Sequence, residues 1–229
     1  QMRILAIVDP PHSLDPQSDT TVAILDEALI RGHKVWVCEL HSLWIRDGRP
    51  GADVRAVTAV QREKPLAQAH ALTVEAKTQA HPLEFFQVVL MRKDPPYDST
   101  YHLATLILEQ ARGKTLLVND PRGLREANEK LYIFHFPELI APTLVSNNIR
   151  ELRAFMAAQG DHMVIKPLDG HGGLSVFHVR GSDNNASTIL ELMTQHGQRW
   201  VMAQRYLDVT KYGDKRILLL DGDPVGTVL

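Results

Sequence analysis

The chain has 229 residues, 44% of them hydrophobic and 23% charged, with a net charge of −2 and a single cysteine. This composition is that of a soluble globular protein with one large or two ordinary domains; it excludes a disordered chain and, with no basic run, a nucleic-acid partner. The apolar stretch Ile4–Val8 is too short for a signal sequence or a membrane span and leads into Asp9, so a cytoplasmic address and no membrane partner are expected.

In chain order, MRILAIVDPP reads as an apolar strand, and TTVAILDEALIRGHKV carries helical spacing that stops at Gly32, where a C-terminal glycine belongs. VWVCEL returns as a strand, with Cys38 read as a buried structural thiol. This βαβ opening predicts a parallel sheet whose ligand edge lies at the strand C-termini, where Asp9 sits. Residues 47–82 are rich in Gly, Ala, Gln and Pro with weak periodicity, and predict an irregular excursion containing a mobile loop. The pattern resumes with a strand through Met91, a helix over 99–112 ended at Gly113, and strand TLLVN. Arg92, Lys93 and Asp94 then stand at a strand's C-terminal end, as a solvated turn or as binding residues. PRGLREANEKLYIFHF predicts a helix start, APTLVSN an extended segment and NIRELRAFMAAQG a helix closed by Gly160. ASTILELMTQHG predicts a further helix, WVMAQRYL a strand, and GDKRILLLDGDPVGTVL a hairpin turning at Asp-Gly.

The stretch IKPLDGHGG, residues 165–173, places a lysine at the end of an apolar strand and three glycines after it. Glycine lets backbone N–H groups crowd an anion that a Cβ would hold off. A phosphate-binding P-loop has its lysine after the glycines, and a dinucleotide fingerprint wants glycine at Ser175 and a helix there. LSVFHV instead alternates as a strand, so the motif is strand, glycine loop, strand. An ATP held between antiparallel strands, with Lys166 beneath a glycine flap, fits it.

With these residues in view, the chain resembles the bacterial glutathione synthetases, which are ATP-grasp ligases. The matching stretches are MRILAIVDP, LMRKDPPYD, EANEKL, IKPLDGHGG, MAQRYL and GDKRILLLDGDPV, in family order across nearly the whole chain. The resemblance implies an α/β fold: a Rossmann-like substrate domain over 1–122, an ATP-grasp N-terminal subdomain with the glycine loop over 123–203, and the start of a C-terminal subdomain over 204–229. It implies ATP-dependent joining of γ-glutamylcysteine to glycine, with magnesium (or manganese) as the metal and a homotetramer as the assembly. Lys130 and Lys166 would contact ATP phosphates, with Gly170, Gly172 and Gly173 looped over them. Gln204, Tyr206 and Leu207 would line the adenine, Asp214 the ribose, and Arg216 the phosphates. Asp9, Arg92, Lys93 and Asp94 fall where the dipeptide should bind, the basic pair facing carboxylate and the acids the γ-glutamyl ammonium.

The chemistry explains the cations. A carboxylate cannot expel O²⁻, so the γ-phosphoryl group must first be transferred to it, and positive charge must let two anions meet. Arg216, able to bind two oxygens at once, and Lys166 are the expected catalytic pair. An open acyl phosphate would hydrolyse, which gives the flap a second task as a lid.

Read singly, the same residues have plainer meanings. Lys130 fits a solvated helix lysine, Asp214 and Arg216 a surface pair, Lys166 a strand-end lysine and His171 a loop residue. The eleven histidines form no HExxH, and Glu126 and Asn128 mimic a magnesium Glu-x-Asn whose family counterpart comes later in the chain. No metal ligand is therefore expected among these residues, and the chain is expected to be a truncated, inactive form. The alternatives are a related ATP-grasp ligase with another acceptor and a non-catalytic ATP-binding fragment; a Rossmann oxidoreductase would need glycines after MRILAIVDP.

Overall fold

A computed structural model describes residues 1–61, 71–170, 172–208, 213, 215–220 and 222–228. The described residues fall into two units, one of residues 1–134 with 169–171 and the other of residues 135–168 with 172–229.

In the first unit, β1 (Arg3–Ile7) lies between β2 (Lys34–Cys38) and β7 (Val88–Met91), all parallel, and β8 (Leu116–Val118) extends the sheet beyond β7. After Arg3, β1 is an unbroken apolar run because both of its faces are buried there. Leu5 and Ile7 enter one core with Tyr101, Ala104 and Leu108 of α2 (Ser99–Glu109); Ile4, Ala6 and Val8 enter the other with Val22, Leu25 and Ala28 of α1 (Thr20–Ile30). Asp19 and Asp98 begin these helices by accepting backbone N–H bonds from Thr21 and Tyr101, which satisfies donors that the first turn leaves unpaired. Gly32 and Gly113, both at positive φ, take the left-handed turn after each helix. The last turn of α2 tightens, with Gln110, Ala111 and Arg112 each bonding three residues back, so the α-helix closes before residue 112.

The region over 47–82 departs from the sequence reading. Instead of an irregular excursion it contains β4 (Arg49–Val60), antiparallel to β2, with β3 (Leu43–Arg46), β5 (Leu72–Val74) and β6 (Gln79–Pro82) all antiparallel to β4. Residues 62–70 of this stretch lie outside the described residues. Pro50 and Gly51 masked the strand, and tertiary packing explains the glycine. Gly51 pairs with Trp44, and the indole lies across it: a Cβ on Gly51 would meet the ring at 2.1 Å. Trp44 is held there by Nε1 donating to Asp53 Oδ1 at 3.1 Å and by the Arg46 guanidinium 4.2 Å from its ring centre. Gly51→Val should therefore destabilise the protein by roughly 1–3 kcal/mol through overpacking, read in urea melts. A change in midpoint within error would show that Trp44 swings aside at no cost.

After β8 the expected helix start is α3 (Pro121–Glu126), and a 3₁₀ turn over Tyr132–His135 follows. The Asn128 side chain accepts the N–H groups of Lys130 and Leu131 at 2.9 and 3.0 Å, offering the backbone an alternative to continued helix.

The second unit is built on an antiparallel sheet in the order β11 (Phe177–Arg180), β10 (His162–Pro167), β12 (Val201–Arg205), β9 (Thr143–Ser146). Alternation along β10 sends Met163 and Ile165 into a core with Leu152 and Met156 of α4 (Ile149–Ala158) and Leu190 and Met193 of α5 (Ala186–Met193). β13 (Arg216–Leu220) and β14 (Asp223–Val228) form the expected hairpin. Strand, glycine loop and strand are present as read, although β11 begins at Phe177 rather than Leu174.

Candidate functional site

At the C-terminal edge of the parallel sheet, the chain leaves β1 at Asp9 and β7 at Arg92. Arg92 N donates to Ile7 O at 2.8 Å, which prolongs the β1–β7 pairing by a residue and sets the two loops side by side. Asp9 Oδ1 pairs with Lys93 Nζ at 2.8 Å, and Asp9 Oδ2 accepts the Asp94 N–H at 2.8 Å. Lys93 Nζ also donates to Asp94 O at 2.6 Å. The Asp9 carboxylate and the Lys93 ammonium therefore satisfy each other and tie the turn after β7 to the end of β1. Arg92 points elsewhere: its Nε donates to Thr21 Oγ1 at 3.1 Å. It and Asp94 line an open cleft of about 380 Å³ with Ser13, Asp15, Ser18, Asp19 and Thr20. Sequence reasoning missed the polar loop and the α1 start opposite Arg92; the signal was the acidic, hydroxyl-rich DPPHSLDPQSDT between a first strand and its helix.

The first unit also holds Lys130. Its side chain is only 14% exposed; it pairs with Glu129, and Nζ donates to Gly170 O at 2.9 Å. A helix lysine on a solvated face would not be enclosed in this way. Cys38 is buried, and desolvation, reinforced by Glu39 and Asp53, pushes its thiol up to about 12, which leaves it inert at neutral pH.

In the second unit, the period-2 alternation that buries Met163 and Ile165 puts His162, Val164 and Lys166 on the sheet face opposite α4 and α5. The ladder sets Lys166 across from Met202, and Val164 across from both Gln204 of β12 and His178 of β11. Gln204 is fixed by Nε2 donating to Thr143 Oγ1 at 2.8 Å, and the Arg205 N–H donates to Pro142 O at 2.9 Å. Tyr206 and Leu207 lie just beyond the end of β12, with Leu207 half exposed. The glycine loop follows β10 directly. Gly172 and Gly173 have φ of +59° and +75° with nothing within 4 Å of a notional Cβ, so glycine is needed there for backbone freedom and not for room. Ser175 also has positive φ, +58°. Arg216 opens β13, exposed and opposite Val228. Asp214 and His171 lie outside the described residues.

Among the described residues no three His, Cys, Asp or Glu side chains gather to hold a metal ion, and Asn128 is engaged by its own backbone as described.

Family models decide the assignment. The prokaryotic glutathione synthetase N-terminal domain matches residues 2–125, and the prokaryotic glutathione synthetase ATP-grasp domain matches residues 129–229. The chain belongs to the prokaryotic glutathione synthetase family. It is 43% identical over 234 residues to glutathione synthetase of Gloeobacter violaceus, covering 100% of this chain and 70% of that one. Against glutathione synthetase of Photorhabdus laumondii it is 41% identical over 220 residues, covering 96% of this chain and 67% of that one. Solved structures agree in fold. A D-cycloserine synthetase, DcsG, superposes with a TM-score of 0.63 at 20% identity, covering 98% of this chain and 66% of that one. An ATP-grasp RimK domain protein from Sphaerobacter thermophilus gives 0.59 at 16%, covering 98% and 71%. Membership in the glutathione synthetase family makes the protein an ATP-dependent ligase acting on small molecules. No described helix is long and apolar enough to cross a membrane.

Proposed function

We propose that the protein joins γ-glutamylcysteine to glycine, with ATP, supplied as its magnesium or manganese complex, going to ADP and phosphate. The C-terminal carboxylate oxygen of the dipeptide attacks the γ-phosphorus and ADP leaves. The glycine amine then attacks the acyl carbon, phosphate departs, and the nitrogen loses a proton to solvent. The observation that carries this reading is Lys166 on the sheet face opposite α4 and α5, on the strand that leads into a loop whose Gly172 and Gly173 are left-handed. This arrangement, on the ATP-grasp half of a family ligase, supports phosphate binding. Lys166 and Arg216 act as the charge-stabilising pair. Lys130, whose Nζ donates to Gly170 O, adds a further positive charge for the phosphates. Tyr206 and Leu207 border the adenine and Asp214 the ribose.

For the dipeptide, the ion-pair geometry sharpens the roles. Asp9 and Lys93 are spent on each other, so they act as a strut. Arg92 and Asp94 face the cleft and take the zwitterionic γ-glutamyl end, the guanidinium on its carboxylate and Asp94, helped by Asp15, on its ammonium. Asp15 and Asp19 each lend an oxygen to local N–H groups, which keeps the acidic wall in place.

The reaction is tested by ADP formation from Mg-ATP with γ-glutamylcysteine and glycine omitted in turn. Turnover that needs both supports the ligase; turnover with another amine but not glycine would move the reading to a related ligase, and turnover without dipeptide would overturn it. Arg92→Ala should raise KM for γ-glutamylcysteine by roughly 10–100-fold, the loss of one charged hydrogen-bonding group, with KM for ATP unchanged. An equal rise in both constants would remove Arg92 from the dipeptide site.

A further inference from the structure

The second unit carries an aromatic cluster whose two histidines have no part in the ligase chemistry. His162 of β10 and His178 of β11 are diagonal neighbours on one sheet face, because His162 pairs with Arg180 and His178 with Val164. His162 Nδ1 and His178 Nε2 stand 3.2 Å apart. The His178 ring lies flat on Tyr206, centroids 3.9 Å apart and planes within 5°. Tyr206 also borders His162, centroids 5.4 Å apart.

The geometry points to a two-histidine chelate for a late first-row divalent cation, Zn²⁺ as the type, at His162 and His178. Zinc–imidazole bonds of about 2.0–2.1 Å across the 3.2 Å separation subtend about 100° at the metal, close to tetrahedral. In the metal-free pair one nitrogen carries the shared proton. Binding needs that ring to take its other tautomer, so that Nδ1 of His162 and Nε2 of His178 both offer lone pairs and the protons sit on His162 Nε2 and His178 Nδ1. No proton is lost and no other reactant is required. Tyr206 fixes the plane of His178 as a hydrogen bond to the far nitrogen commonly does for a metal-bound imidazole. Water completes the shell. Arg180, opposite His162, opposes any incoming cation, and the two imidazole donors favour Zn²⁺ over Mg²⁺, which prefers oxygen. The site shares the sheet face of Lys166 and stacks on Tyr206, so it adjoins the proposed nucleotide site, but its two donor atoms belong to the imidazoles alone.

The test is Zn²⁺ added to the purified protein in excess Mg²⁺, followed by imidazole ¹H–¹³C NMR and by competition with a chromophoric chelator. The His162 and His178 ring signals should respond together at substoichiometric Zn²⁺, ahead of the other histidines. H162Q and H178Q, each checked for folding by circular dichroism, should weaken binding by at least about tenfold, the lower bound of what even an outer-shell partner costs. Tyr206→Phe keeps the stack and should leave binding unchanged. Another histidine responding first, or unchanged Zn²⁺ affinity in the H162Q/H178Q double variant, overturns the site, and the NMR arm decides even if a variant does not fold.

Discussion

Replacing Lys166 with methionine is expected to lower kcat for glutathione formation by about 10²–10³-fold, the usual cost of removing one group that stabilises transition-state charge. Methionine keeps the length and apolar stem of lysine, so packing on the half-buried sheet face beside Met202 and Gln204 is retained. The thermal midpoint should stay within a degree or two of wild type, since no core contact is removed. The change should show in single-turnover ADP formation as well as at steady state, because the charge acts on phosphoryl transfer. Lys166→Arg should recover only part of the rate, since a planar fork does not replace a point charge in place. A variant that lost stability but turned over normally would make Lys166 a strand-end lysine with no catalytic part.

The second large effect is expected at Asp9, whose carboxylate joins the ends of β1 and β7. Asp9→Ala removes both the Lys93 ion pair and the acceptor for the Asp94 N–H. The turn that carries Arg92 and Asp94 then loses its anchor, and a displacement of about 1 Å in positioning residues costs on the order of 10²-fold in kcat/KM. The loss should appear for γ-glutamylcysteine and not for ATP. Asp9→Asn separates the two contacts: an amide oxygen can still accept the Asp94 N–H, while the ion pair is lost. It should therefore retain more activity than Asp9→Ala. If the two variants were equally impaired, the charge rather than the anchoring bond would set the turn; if neither were impaired, the strut is dispensable.

Both experiments rest on features that differ in how far the sequence disclosed them. Lys166 was legible because its signal is local. An alternating strand, three glycines and a second strand are adjacent in the chain, and the left-handed φ values at Gly172 and Gly173 are what such glycines exist to adopt. The helix ends at Gly32 and Gly160 were legible for the same reason. The Asp9–Lys93 strut was not. Asp9 and the Asp94 N–H it holds are 85 residues apart in sequence, so the pairing has no local signature.

By itself the sequence determined the βαβ opening, the antiparallel loop motif, the hairpin and the family, because each depends on neighbouring residues or on ordered motifs. Tertiary structure alone decided three things. It made β4 a strand, since the Trp44 ring shields the backbone at Gly51 where a weak β-former would otherwise break the pattern. It spent Asp9 on Lys93 and left Arg92 facing the cleft. And it brought His162 to His178, because strand register, which no local pattern encodes between separate strands, sets which side chains lie diagonal to one another.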